Sequence, residues 1–299
     1  MAMIKGTRIA LLGLGLISGS LAKALKATSW RGSIVAWGPR EPSLKRGLSL
    51  GVIDEYTLDL EAALDGADIV VVGAPPAATA SVLNAVFVAL RKNGQTPVVT
   101  DLASIKGHIV AQAPTDYPGF VPGHPIAGSE HSGVSAARSE LFAGREVILT
   151  PLATTDESAT SEVANLWRMT GARVTEMAVD AHDAALAASS HSPHMIAYAL
   201  TMALSKDGLA PIEHGGGALR DMTRIAASDP VMWRDVALTN RDALLAAMAA
   251  VDGELNQLRE LISTGSGEEL ERYFAHCREV RRGYDRILNP MLEPREPAS

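Results

Sequence analysis

The chain has 299 residues, of which 47% are hydrophobic and 20% charged, enough for two domains and a substantial core. Lys and Arg total 27 against 34 for Asp and Glu, a net charge of −7, and without basic clusters this excludes general nucleic-acid binding. A single cysteine, Cys277, excludes an intrachain disulfide and a cysteine metal site, and no unbroken apolar run of about 20 residues reads as a membrane span, so a cytoplasmic protein is expected.

In chain order, RIALLGLG (Arg8 to Gly15) is a short apolar run stopped by glycine, the pattern of a parallel strand covered on both faces. LISGSLAKALKA then places apolar residues at helical spacing. SIVAW predicts a second strand and ADIVVVGAPP a third, closed by Pro75 and Pro76. ASVLNAVFVALRK is helical, TPVVTD a strand, and GFVPGHPIAG a strand end with a loop. REVILTP and ARVTEMAV add strands on either side of the helix ESATSEVANLWRMTG. Strands alternating with helices predict an α/β fold, a Rossmann-like doubly wound parallel sheet.

From about Val179 no strand-like run appears. DAHDAALAASSHSPHMIAYALTMALSK reads as one long helix, and DPVMWRDVALTNRDALLAAMAAVDGELNQLRELIS and GEELERYFAHCREVRRGYDRIL as further helices. Pro211 and the Gly215-Gly216-Gly217 run mark a loop, and EPREPAS a frayed tail. The expected organisation is a nucleotide-binding domain over 1–178 and an all-helical domain over 179–299.

The segment GLGLIS runs from Gly13 to Ser18, after a predicted strand and into a predicted helix, where a G-x-G-x-x-G dinucleotide fingerprint belongs. Gly13 serves the tight turn and Gly15 the close approach of a pyrophosphate. The third position serves only helix–strand packing, so Ser18 is tolerated. The pyrophosphate is expected on the helix N-terminus, near Leu16 and Ile17. The second strand ends in VAWGPRE, with no acid where NAD would need one for its ribose. Arg40 close by slightly favours NADP over NAD, with Glu41 the alternative ribose ligand.

Three other stretches exceed a generic nucleotide fold. In TDLASIKG, Ser104 and Lys106 follow a strand at its carboxyl end, where open α/β sheets bind ligands, although Ser104 could equally cap the next helix. In PGHPIAGSEHSGV, His124 precedes a proline and is therefore extended, a poor core residue among glycines and prolines, with Glu130 six positions on. In SSHSPHMIAYAL, His191 and His194 lie near a helix start, with Pro193 in its first turn. No third zinc ligand is evident there, and no metal is expected. Farther on, Asp221 and Arg224 stand three apart on one helical face, as a surface ion pair also would.

Together these stretches resemble the prephenate/arogenate (cyclohexadienyl) dehydrogenase family of tyrosine biosynthesis. The match runs in order through DLASIKG, GHPIAGSEHSGV, LFAGREVILTP, DAHDAALAASSHSPH and LRDMTRIAASDPVMW, over nearly the whole chain. The resemblance implies oxidative decarboxylation of prephenate, arogenate or both: hydride leaves ring C4 for NAD(P)+, and carbon dioxide is lost as the ring becomes aromatic. It places the hydroxyl-binding histidine on His124 and its serine partner on Ser104. It places the carboxylate-binding arginine on Arg224, with His194 at the substrate side chain and Ser129 and Trp233 as further pocket positions. Glu130 and Asp221 match acidic positions at the substrate entrance, where an ion pair can gate access. Around an unshifted histidine, activity would fall as pH drops through about 6.5.

Three departures stand out: Ser18, the missing acid after the second strand, and His131 where lysine is common. A homodimer is expected, its Ala- and Leu-rich helices packing across the interface. The two core domains are expected to use up these 299 residues, so no mutase or regulatory domain is expected within them. Another Rossmann-plus-helical dehydrogenase, of β-hydroxyacid type, would need a lysine base on the first long helix, whose only lysine, Lys206, is at its far end. A non-enzymatic nucleotide sensor would have no need of Ser104, His124 and Arg224 together.

Overall fold

The structure, a computed structural model, describes residues 7–113, 116–129, 131–206 and 214–288. The expectations for Glu130, Pro211 and the EPREPAS tail fall outside them.

Strands and helices first alternate: β1 (Arg8–Leu12), α1 (Leu16–Lys26), β2 (Ser33–Trp37), α2 (Glu41–Ser49), β3 (Glu55–Thr57), α3 (Leu60–Leu64), β4 (Ile69–Val72), α4 (Pro76–Asn93), β5 (Val98–Asp101), α5 (Gly107–Gln112) and β6 (Phe120–Val121). Next come β7 (Gly123–Pro125), β8 (Glu146–Leu149), α6 (Glu157–Met169) and β9 (Arg173–Glu176). The remaining elements are helices: α7 (Val179–Leu186), α8 (Ser192–Leu204), α9 (Gly217–Thr223), α10 (Pro230–Thr239), α11 (Arg241–Thr264) and α12 (Gly267–Leu288).

Six strands form one parallel Rossmann-like sheet in the order β3-β2-β1-β4-β5-β6. Its strand order reverses between β1 and β4, so their carboxyl ends flank the crevice where such sheets take ligands. Both faces are covered, which explains the unbroken apolar runs. Ile9, Leu11, Ile69 and Val71 point to one face, with Phe142 and Trp167. Ala10, Leu12, Val70 and Val72 point to the other, with Leu83 and Phe87. Phe87 is fully buried and meets Phe120 edge-on at 5.5 Å. Phe87→Ala is expected to destabilise the fold by about 3–5 kcal/mol, through lost burial and the cavity left behind. Urea denaturation checks this; an unmoved midpoint would contradict the packing.

Two features depart from the sequence reading. β8 and β9 do not extend the parallel sheet but form a second one, β7-β8-β9, in which β7 runs antiparallel to β8. The cause is Pro122, which separates β6 from β7 and has no N–H to continue the ladder. β7 thus leaves the main sheet just before His124, which pairs opposite Ile148. β3 was unexpected because three residues at a half-exposed edge carry no readable pattern.

The expected long helix is continuous from α7 to α8, through a π-helical turn at Ala187–His191. Pro193 therefore follows a widened turn within a helix, instead of opening a new one. The next expected helix is two, because Asn240 breaks α10 from α11. By compactness the chain divides into Met1–Leu244 and Leu245–Ser299. Within the second unit the Tyr273 hydroxyl donates to Glu254 Oε2 at 2.8 Å, tying α12 to α11. Among the described residues no helix is long and apolar enough to cross a membrane.

Candidate active site

The glycine-rich turn has the properties a dinucleotide needs. Gly13 has φ +100°, and a Cβ there would lie 2.6 Å from the Gly73 carbonyl oxygen, so only glycine lets the ends of β1 and β4 approach. At Gly15 a Cβ would meet nothing within 4 Å, which leaves the space above α1 open for a phosphate group. The amides of Leu16 and Ile17 begin the helix and have no carbonyl a turn before them, so they can donate to an anion. Ser18 is buried, and its Oγ lies 2.1 Å from where a Cβ on Gly73 would be. The space normally supplied by the third glycine is supplied here by Gly73, just beyond the end of the neighbouring β4. These residues fit a dinucleotide. Arg40 is exposed just before α2, and Glu41 accepts from the Tyr56 hydroxyl and pairs with Lys45, both at 3.2 Å.

Beyond β5, the loop carrying Ser104 is anchored at both ends. Asp101 Oδ1 accepts from the Ala103 amide at 2.9 Å and from the fully buried Lys106 ammonium. Lys106 Nζ also donates to the Gly123 carbonyl at 2.6 Å, joining this loop to the residue before His124. Burial pulls the Lys106 ammonium below the usual lysine range, against the opposing pull of Asp101. Between them Ile105 packs with Trp233 and Val236, while Ser104 is half-buried.

His124 sits on β7, 8% exposed. Its Nδ1 lies 2.9 Å from Nε2 of the fully buried His182, and His182 Nδ1 lies 2.8 Å from Asp183 Oδ1. The Asp183 carboxylate in turn accepts from the amides of Lys106 at 2.9 Å and Gly107 at 2.7 Å. Burial, reinforced by His182, Lys106 and His191, holds the His124 imidazole well below its usual range, so it is neutral at pH 7. With Nδ1 occupied, Nε2 is the ring atom left for a ligand.

The π turn and α8 bring in two more imidazoles. Asn240 Nδ2 donates to the Asp183 carbonyl at 2.9 Å and to His191 Nδ1 at 3.1 Å, which leaves the His191 proton on Nε2. Burial lowers the His191 pKa to about 4. His194 Nδ1 donates to the Ser190 carbonyl at 2.9 Å, and its ring stacks on Trp233 with centroids 3.6 Å apart. Trp233 is buried, and its Nε1 has no hydrogen-bond partner among the described residues. The pKa of His194 is lowered by burial and also by the nearby charge of Arg224. Arg224 begins the short 3-10 turn Arg224–Ala227 and is exposed.

The structure thus gathers His124, His191, His194 and Trp233, with the Ser104 loop beside them and Arg224 near His194. The alternative of a surface ion pair between Asp221 and Arg224 is not met: Asp221 pairs with the adjacent Arg220 at 3.1 Å, and α9 ends at Thr223, before Arg224. Ser129 is exposed, and its Oγ accepts from the His131 amide at 3.0 Å. Sequence reasoning missed His182, Asp183 and Asn240. The only local signal was a polar His-Asp pair inside an alanine-rich helix.

Comparison with known proteins adds to this geometry. Residues 21–176 match the family described as prephenate dehydrogenase, nucleotide-binding domain, and residues 178–276 the one described as prephenate dehydrogenase, dimerization domain. A cyclohexadienyl dehydrogenase from Zymomonas mobilis is 35% identical over 91% of this chain and 94% of its own. The crystal structure of prephenate dehydrogenase from A. aeolicus, in complex with hydroxyphenyl propionate and NAD+, superposes with a TM-score of 0.86 at 33% identity, covering 93% of this chain and 98% of that one. Synechocystis arogenate dehydrogenase gives a TM-score of 0.80 at 27% identity, covering 93% and 100%.

Proposed function

The chain belongs to the prephenate dehydrogenase family, and from that premise we propose that it oxidatively decarboxylates prephenate, arogenate or both. The observation that carries this reading is the neutral, buried His124, whose Nδ1 is occupied and whose Nε2 is available to a ring hydroxyl. The Gly13–Gly15 turn and the amides of Leu16 and Ile17 would hold the dinucleotide, which when bound would supply the acceptor for the hydride of ring C4. His124 Nε2 accepts the hydroxyl proton as that hydride leaves. It holds the proton while the C–C bond to the ring carboxylate breaks, then returns it to the phenolate oxygen of the aromatic product. No net proton is released. Ser104 orients the hydroxyl or His124, Arg224 binds a substrate carboxylate, and His194 with Trp233 lines the side-chain end. By family resemblance Ser129 matches a further pocket position, and Glu130 and Asp221 match acidic positions of the family's substrate entrance.

The similarity to a protein that binds hydroxyphenyl propionate and NAD+, a phenol with a carboxylate and an oxidised nicotinamide, supports this assignment. The similarity to an arogenate dehydrogenase supports keeping both side chains open. The two family matches meet between 176 and 178, which supports a nucleotide-binding domain over 1–178 and a helical domain over 179–299. Exposed Leu255, Ile262 and Phe274 on α11 and α12 support a homodimer formed through the second of these.

For the nucleotide, Arg40 without an acid at the end of β2, and Glu41 already engaged, supports NADP with NAD as the alternative. The test is purified protein with prephenate or arogenate and NAD+ or NADP+, followed by the absorbance of reduced nicotinamide. Turnover with none of the four combinations would overturn the assignment. Arg40→Ala is expected to raise KM for NADP+ at least about tenfold and leave NAD+ unaffected. Equal effects on both would remove Arg40 from the 2′-phosphate site.

A further inference from the structure

The hydrogen-bond chain behind His124 constrains where its protons sit. The amides of Lys106 and Gly107 can only donate, so the Asp183 oxygens that meet them are acceptors. Burial by itself would raise the Asp183 pKa, but the bonds from His182 and from these two amides bring it below the usual carboxylate range. Asp183 is therefore a carboxylate. The His182 Nδ1 atom, 2.8 Å from Asp183 Oδ1, must carry the proton. With its other ring nitrogen, Nε2, bearing the lone pair, His182 accepts from the His124 Nδ1 atom 2.9 Å away, which then carries a proton in its turn.

We infer that His182 and Asp183 are positioning residues for proton transfer: through them two backbone amides fix His124 as the Nδ1–H tautomer, with a lone pair on Nε2. This rests on the reading of His124 as acceptor of the ring hydroxyl proton. In the opposite tautomer Nε2 would carry a hydrogen and could only donate, and the O–H bond would have nowhere to send its proton.

The same chain accommodates the charge that follows. When the hydroxyl proton moves to Nε2, His124 becomes an imidazolium in a buried site. The cationic Lys106 faces it from the β5–α5 loop, His191 from the π turn and His182 from α7. The Asp183 carboxylate behind His182 is the anionic group that offsets this charge. Because the proton is returned to the phenolate, the chain has to stabilise it only for the lifetime of the intermediate. The backbone anchor makes the arrangement rigid: Asp183 is held by amides at the start of α5, and Asn240 holds its carbonyl.

The experiment reads the tautomer without substrate or cofactor. In protein labelled with [15N]histidine, long-range 1H–15N correlation spectra distinguish a protonated from an unprotonated ring nitrogen, and the His124 signals are those lost in His124→Asn. The expected result is Nδ1 protonated and Nε2 unprotonated at neutral pH. A protonated Nε2 at His124 in the unsubstituted protein overturns the inference.

Kinetics supply the second arm. His182→Phe removes both ring nitrogens and is expected to lower kcat about tenfold to hundredfold with KM nearly unchanged, by analogy with other losses of an orienting partner. His182→Gln can still accept from His124 and donate to Asp183, and it is expected to recover most of that loss. A merely structural role would show both variants impaired alike, with KM and kcat moving together. An enzyme inactive on all four substrate–nucleotide pairs but with Nδ1–H at His124 would instead refute the proposed reaction and leave the tautomer assignment standing.

Discussion

His124→Asn is expected to lower kcat at least about 10²-fold, the usual scale for a lost proton acceptor, with little change in nucleotide affinity. Asparagine keeps a polar side chain on β7 but has no basic nitrogen for the ring hydroxyl. The residues proposed for the nucleotide lie on another loop, after β1, and are left in place. Steady-state kinetics with a fluorescence titration of the nucleotide would check both halves of this statement. Unchanged turnover would remove His124 from the reaction.

The pH profile of the unsubstituted enzyme carries the same assignment in a different form. Only neutral His124 accepts a proton, so kcat/KM falls as pH drops through the pKa of the free enzyme. Burial first, and then His182, Lys106 and His191, place that pKa well below 6.5. The acid limb is therefore expected well below the pH at which an unshifted histidine would lose activity. The sequence reading gave the limb of an unshifted histidine, because burial is not legible along the chain. An inflection at about 6.5 would contradict the depressed pKa.

The second large effect is at Arg224. Arg224→Ala is expected to raise KM for the substrate about 10²-fold with a smaller change in kcat, because a bound carboxylate would lose its charged partner. The guanidinium is exposed at the start of a 3-10 turn, close enough to His194 to lower its pKa, and makes no ion pair among the described residues. Arg224→Lys keeps the charge and loses the planar fork, so it should recover only part of the affinity. An unaltered KM in Arg224→Ala would leave Arg224 as a surface charge.

Much of the architecture was readable along the chain because its causes are local. β1 and β4 are covered on both faces, and their unbroken apolar runs say so directly. The Gly13–Ser18 turn lies between a strand and a helix in sequence, and the backbone requirement at Gly13 is met within that short stretch. Ser18 needed the structure: its tolerance depends on Gly73, the residue just after β4. The second sheet was missed because pairing of β7 with β8 spans a long connection, and a two-residue β6 ended by Pro122 looks the same in sequence as a strand that continues.

The same division holds for the site. The sequence by itself determined the parallel nucleotide-binding sheet, the helical character after Val179, and the presence of His124, Ser104 and Arg224 in a recognisable order, since these follow from periodicity, turn chemistry and motif. Only the tertiary structure decided that His182, 58 residues beyond His124 in the chain, meets it at 2.9 Å, and that Asp183 is held by amides 76 and 77 residues away. It also decided that Asp221 pairs with Arg220 and not with Arg224. Proton position and pKa depend on burial and on partners brought together by folding, and separation along the chain carries no information about either.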